Sequence, residues 1–170
     1  MENLSSNKCF QSINNVIEFG KCEALNSENN ESLKYLFSGG SIKSNKGDPE
    51  MILSITFKEK VSLTCILLES SNKDNVPSCI KLYANKSNLD FGDIDSVPFT
   101  EELKKYTSGK QYPLKIAKFR NLDTLSIYVS NNSGDIVELN NLIIYGTTAE
   151  NTDMSQMKNT NPWGPRPCKK

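Results

Sequence analysis

Hydrophobic residues recur along this chain with a period of two. Met51, Leu53, Ile55 and Phe57 alternate with Ile52, Ser54, Thr56 and Lys58. Ile80, Leu82 and Ala84 alternate with Lys81, Tyr83 and Asn85, and Leu125, Ile127 and Val129 with Ser126, Tyr128 and Ser130. Successive side chains of a strand point to opposite faces, so each stretch predicts a strand with one buried and one wetter face. Val61 to Leu68 and Leu142 to Tyr145 are nearly unbroken apolar runs, as expected of central strands. Gln111 to Phe119 predicts another, with Pro113 near its start, where a missing N–H is tolerable.

Turn chemistry separates these runs. Asn45-Lys46-Gly47-Asp48-Pro49 precedes the first clear strand, Ser70 to Ser78 is polar, and Asn131-Asn132-Ser133-Gly134-Asp135 reads as a hairpin loop between the last two strands. Helical signal is thin. Ser27 to Leu36 predicts a short helix with Ser27 as its N-cap, and Thr100 to Lys105 a second with Thr100 as its cap. Seven or eight short strands with long polar connections predict an all-β fold. It is an antiparallel sandwich or jelly roll with one or two short helices, and the lack of sustained strand–helix alternation argues against a doubly wound sheet.

The ends differ from the middle. Residues 1–10 are polar and are expected to be flexible, and from Asn151 onward the period is lost. The last ten residues hold three prolines and a glycine, which excludes a helix or a central strand. The expected organisation is a flexible terminus over 1–10, a sandwich over 11–157 and a proline-rich flexible tail over 158–170. That tail carries the only tryptophan, Trp163, together with Arg166, Lys169 and Lys170. Trp and Arg are enriched among interface hot spots, so these four residues are the candidate partner-binding site, with an inert tail as the alternative.

Composition narrows the chemistry. Twenty basic residues balance twenty acidic ones, which argues against non-specific nucleic-acid binding and against a general pull to an anionic membrane. There is no histidine, so nucleophiles served by a histidine base and zinc sites with histidine ligands are excluded. Cysteines stand at 9, 22, 65, 79 and 168 with no C-x-x-C, which removes a thioredoxin-type redox pair and a zinc ribbon. An odd cysteine count and an N-terminus without an apolar stretch predict reduced thiols in the cytoplasm. Cys65 and Cys79 read as small core residues. The four N-x-[ST] sequons, at Asn3, Asn30, Asn85 and Asn131, match chance for a chain this rich in Asn, Ser and Thr. The abundance of Asn has two readings, turns or AT-rich codon drift; for scattered surface positions drift is preferred.

Other constellations resolve to structure. Asp90, Asp93 and Asp95 lack the spacing and closing Glu of a calcium loop and read as an acidic loop that caps a short helix. Glu101/Glu102 and Asp48/Glu50 are adjacent in sequence, which does not make them face each other across a pocket as glycosidase carboxylates must. Gly39-Gly40 lacks the frame of a phosphate loop and reads as a turn or bulge. No catalytic residue, cofactor site or metal site is assigned.

Taken in order, these segments resemble the PITH domain, named as the proteasome-interacting domain of thioredoxin-like proteins. The resemblance is carried by Cys22 to Asn26 (CEALN), Gly47 to Leu63 (GDPEMILSITFKEKVSL) and Pro77 to Asp95 (PSCIKLYANKSNLDFGDID). It continues through Tyr112 to Gly134 (YPLKIAKFRNLDTLSIYVSNNSG) and the Gly-Thr corner of Leu142 to Met157, and KFRNLDTLSIYV is its most specific part. It implies a jelly-roll sandwich related in shape to galactose-binding-like domains, and a cytoplasmic or nuclear setting. It also implies association with the regulatory particle of the 26S proteasome. With no W-C-G-P-C motif in the sequence, it implies a stand-alone member whose redox activity is not carried over.

Two functions from different classes follow. The first is a non-enzymatic interaction module, expected as a monomer, that docks on the proteasome or another large assembly without nucleic acid or membrane. The second is a lectin-like module that binds carbohydrate or another small ligand in its loops. An enzyme working through carboxylates alone ranks last, because nothing in the sequence converges.

Overall fold

A computed structural model describes residues 11–28, 33–104 and 106–148. Its strands are β1 (Glu23–Leu25), β2 (Ile42–Lys43), β3 (Glu50–Glu69), β4 (Cys79–Ala84), β5 (Glu101–Glu102), β6 (Gln111–Pro113), β7 (Leu122–Ser130), β8 (Glu138–Leu139) and β9 (Asn141–Thr148). The helical elements are one α-helix, α1 (Lys34–Phe37), and short 3-10 turns at Asn14–Val16, Phe19–Lys21 and Lys73–Asn75, with Glu28 in a further 3-10 turn.

β3 organises the fold. Its first half pairs with β1 and β7, and β7 carries β4 and then β5, all antiparallel. Its second half pairs with β6 and β9. The register against β7 shifts between Thr56 and Val61, where the polar Lys58-Glu59-Lys60 stretch marks the corner. One strand thus lies in both layers of an antiparallel sandwich. Met51, Leu53 and Ile55 from its first half and Leu63, Ile66 and Leu68 from its second join a single buried cluster. Ile80, Leu82, Leu125, Ile127 and Val129 complete one wall of that core, and Leu142 and Ile144 the other. β2 pairs with β8, and Ile42, Leu139 and Leu36 of α1 are buried in the same core.

The opposite face of the first layer is also covered. Ile52 and Tyr83 pack with Leu89 and Ile94 of the loop after β4 in a second, smaller cluster, against which Leu25, Phe91, Val97 and Tyr128 lean. The acidic loop is shaped by its own side chains. Asp93 N–H donates to Asp90 Oδ1 (3.1 Å) and Asp90 N–H to Asp93 Oδ2 (3.0 Å), so these carboxylates serve the turn that presents Leu89 and Ile94.

Several expectations change. Ser27 is buried and bridges Ser44, with Glu28 after it in a 3-10 turn, while the N-cap of α1 is Leu33, so the helix expected over 27–36 is not one continuous element with Ser27 as the cap of α1. The intervening first-turn residues lie outside the described ones. Thr100 does not start a helix. Its N–H donates to the Leu82 carbonyl (2.7 Å) and its hydroxyl accepts from Ala84 N–H (2.9 Å), so β4 recruits the segment as an edge strand. The 111–119 strand stops at Pro113, because a turn over 115–119 delivers Phe119 to the core. Asn131–Asp135 is not a hairpin: β7 and β9 do not pair but take opposite halves of β3. Gly39, at φ +97°, lets the chain turn after α1, and the Gly40 N–H donates to the Tyr35 carbonyl (2.8 Å). All the non-glycine residues with positive φ among the described ones are asparagines: Asn26, Asn85, Asn88 and Asn121. At these positions the turn reading holds rather than codon drift.

Candidate functional site

The four tail residues singled out by sequence, Trp163, Arg166, Lys169 and Lys170, lie outside the described residues. The surface features that remain are one end of the sandwich and the exposed edge of its first layer.

At the end where β3 begins and β7 finishes, three loops meet, and Asn131 ties them together. Its side chain is 2% exposed. Its Nδ2 donates to the carbonyls of Asp74 (2.9 Å) and Ile136 (2.8 Å), and its own N–H donates to the Pro49 carbonyl (2.9 Å). Asn26, in the left-handed conformation, does similar work by donating to the carbonyls of Asp48 and Glu50. The result is a depression of about 350 Å³ lined by Lys43 and Lys46, Glu28 and Asp135, and Ser44 and Asn75. Its charges balance, with Lys43 Nζ 3.8 Å from Glu28. The polar groups serve the loops: Ser44 accepts from Val137 N–H (3.0 Å), and Asn75 donates to Glu138 (3.0 Å). Asn131→Ala removes both side-chain donors to the Asp74 and Ile136 carbonyls and leaves a gap at a buried position, and is expected to cost roughly 1–2 kcal/mol in urea unfolding. Asn131→Asp, which cannot donate, is expected not to recover the loss.

At the other feature, a row of side chains crosses the outer face of the first layer. Register places Glu102 beside Lys81, Lys81 beside Tyr128, and Tyr128 beside Ile52. Lys81 Nζ lies 5.7 Å from the Phe99 ring centroid and 6.0 Å from that of Tyr128, within reach of a cation–π attraction to both. The Tyr128 hydroxyl donates to Glu50 (2.7 Å), and burial together with that bond pushes its pKa well above the usual range. Phe99 remains 44% exposed, an aromatic ring left open to solvent.

The carboxylate pairs do not converge. Glu102 lies opposite Lys81, whereas Glu101 lies opposite Leu82 and 3.8 Å from Lys118. Glu50 is engaged by Tyr128. Burial pushes the thiols of Cys22, Cys65 and Cys79 up, that of Cys65 to about 11, which makes them poor nucleophiles near neutral pH. Among the described residues no group of three His, Cys, Asp or Glu side chains is placed to hold a metal ion, and no helix is long and apolar enough to cross a membrane. Sequence reasoning missed Phe99 and its Lys81–Tyr128 setting. The alternation of Lys81 with Leu82 signalled an outward lysine, but its aromatic neighbours come from β7 and the loop before β5.

Comparison with known proteins gives the following. A family model described as the PITH domain matches residues 4–162. The "PITH domain-containing protein 1" of Dictyostelium discoideum is 26% identical over 133 residues, covering 72% of this chain and 66% of that protein. "Thioredoxin-like protein 1" of Schizosaccharomyces pombe is 29% identical over 138 residues, covering 75% of this chain and 48% of that protein. The chain therefore spans less than two thirds of either relative. Among solved structures, the family 32 CBM from C. perfringens NanJ, in complex with galactose, superposes with a TM-score of 0.55 at 10% identity. The match covers 74% of this chain and 92% of that one. It establishes the jelly-roll, galactose-binding-like sandwich as the fold.

Proposed function

Because the chain belongs to the PITH domain family, we propose that it is a non-enzymatic docking module, and that its partner is the regulatory particle of the 26S proteasome. It would act as a monomer in the cytoplasm or nucleus. The observation that carries this reading is Phe99, an exposed ring within cation–π reach of Lys81 beside edge strand β5. An aromatic anchor that is ordered before binding loses little conformational freedom on contact, which is the property of an interface hot spot. The unconverged carboxylates and raised thiol pKa values support a module without chemistry of its own.

The sugar-binding alternative gains no such support. Sugar sites usually stack an aromatic ring against the sugar, and three depressions of the described surface, of about 350, 260 and 80 Å³, are lined without one. Likeness to a galactose-bound module at 10% identity carries the fold only.

The test is co-sedimentation with purified 26S proteasome. The full chain is expected to travel with the particle, and Phe99→Ala to weaken the association about tenfold. Tyr35→Ala, which removes a still more exposed ring elsewhere, is expected to change nothing. A wild-type chain that stays in the supernatant at low salt overturns the reading.

A further inference from the structure

The charges balance over the chain but not over its surface. Between Leu103 and Leu122 the sequence has five lysines, one arginine and no acid, although the whole chain carries twenty of each sign. The described members of that set, Lys104, Lys110, Lys115, Lys118 and Arg120, are all exposed.

The fold gives them one address. This segment leaves β5 at the edge of the first layer, adds β6 to the second, and returns to β7. It is stitched to the first layer by Leu103 N–H to the Ile80 carbonyl (2.9 Å). It is stitched to the second by Leu114 N–H to the Thr64 carbonyl (2.9 Å) and Leu63 N–H to the Phe119 carbonyl (2.8 Å). Its described residues, 103–104 and 106–122, therefore close one side of the sandwich. Leu114 and Phe119 are buried, which pushes the turn between them outward and leaves Ile116 48% exposed at its crest. That turn is closed by Lys118 N–H to the Lys115 carbonyl (2.8 Å). Glu101 offsets Lys118 at 3.8 Å. Lys110 sits over the Tyr112 ring at 5.3 Å, which orders the ammonium without cancelling its charge.

We infer that this wall docks an acidic polypeptide segment that lays an apolar side chain on Ile116. The inference deepens the docking reading above and rests on it. With Glu101 against Lys118 and Glu69 Oε2 beside Gly109, the five exposed cations leave a surplus of about three on one side of a neutral chain, a field that steers carboxylates. The apolar crest supplies what a purely electrostatic surface lacks, an area to desolvate. A nucleic acid fits less well, because Tyr112 and Phe119 are buried and offer no face for bases, and the set holds a single guanidinium. Strand addition is disfavoured at a three-residue edge that contains Pro113, so recognition falls to side chains.

The probe is a fluorescein-labelled acidic peptide of about twelve residues with one central leucine, followed by fluorescence anisotropy with the full chain. Binding is expected to weaken about tenfold between low and moderate salt. The variant K115E/K118E/R120E is expected to lose at least roughly tenfold in affinity, and Ile116→Ser several-fold with the salt dependence unchanged. K46E/K73E/K86E, which reverses three exposed lysines elsewhere and so changes the net charge by the same amount as the triple variant, is expected to keep wild-type affinity and serves as the control. Wild-type affinity in the triple variant, or an equal loss in the control, overturns the inference. So does tighter binding of a DNA duplex or of phosphatidylserine vesicles than of the peptide. The two readings fail separately. If the chain ignores the proteasome yet shows this peptide pattern, the wall stands and the proteasome falls. If it binds the proteasome and the triple variant does so undiminished, the wall falls.

Discussion

Phe119→Ala is expected to lower the unfolding free energy by about 4 kcal/mol, the size seen when a fully buried ring is deleted from a well-packed core. Phe119 is 0% exposed and stands at the end of a turn, where its N–H donates to the Ile116 carbonyl (3.1 Å) and its own carbonyl accepts from Leu63. Backbone bonds on both sides fix the position of its Cβ, so the walls cannot close over the vacated space. Urea unfolding is the measurement, with a fall in midpoint at constant slope as the signature. For a chain of this size the loss corresponds to roughly 10 °C in Tm. Phe99→Ala, at an exposed ring, is expected to stay within about 0.5 kcal/mol of wild type. A loss at Phe119 no larger than at Phe99 would mean that the ring does not pack as described.

Gly146→Ala is expected to cost roughly 3 kcal/mol, the upper end for overpacking. β9 passes β3 so closely here that a Cβ on residue 146 would overlap the Ser62 carbonyl oxygen and reach within 3.1 Å of Leu63 Cα. Both obstacles are backbone, held in register on either side of an irregularity between Leu63 and Cys65. A side chain could swing away; a ladder cannot. On the outer edge of the same residue, the Gly146 N–H donates to the Gln11 carbonyl (2.9 Å), so displacing β9 also strains its link to the N-terminal segment. Gly20→Ala is the control, since a Cβ there meets only Glu18 Oε2 at 3.8 Å. Thermal unfolding that shows equal losses for the two alanines would remove close strand approach as the explanation.

The fold was largely legible because strands bury alternate residues. The periods at 51–57, 80–84 and 125–129 fall on β3, β4 and β7. What escaped was set by tertiary contacts. Lys58-Glu59-Lys60 reads as a break between two strands, yet the chain stays extended through a solvent-facing corner, where polar residues are no obstacle. Thr100-Glu101-Glu102 has a capping signature, but the open edge of β4 offered its backbone a better set of partners. Asn131 looked like turn chemistry and is instead a buried tie between loops far apart in sequence. The candidate site was less legible. The acid-free run from Leu103 to Leu122 can be counted in the sequence. That it forms one wall, with Ile116 at its crest, depends on β5 and β6 edging different layers.

The division of β3 between two layers also bears on how the chain is made. Both of its long partners come later: β7 ends at Ser130 and β9 at Thr148, whereas β3 is complete at Glu69. At about 5–20 residues per second, a ribosome needs roughly 4–16 s to travel from Glu69 to Thr148. Throughout that interval the nascent chain carries a twenty-residue apolar-rich strand whose principal ladders do not yet exist. Such a segment invites pairing with other chains. Its charged middle, Lys58-Glu59-Lys60, divides that run into two shorter apolar pieces, the arrangement by which gatekeeper charges lower the tendency of a strand to aggregate.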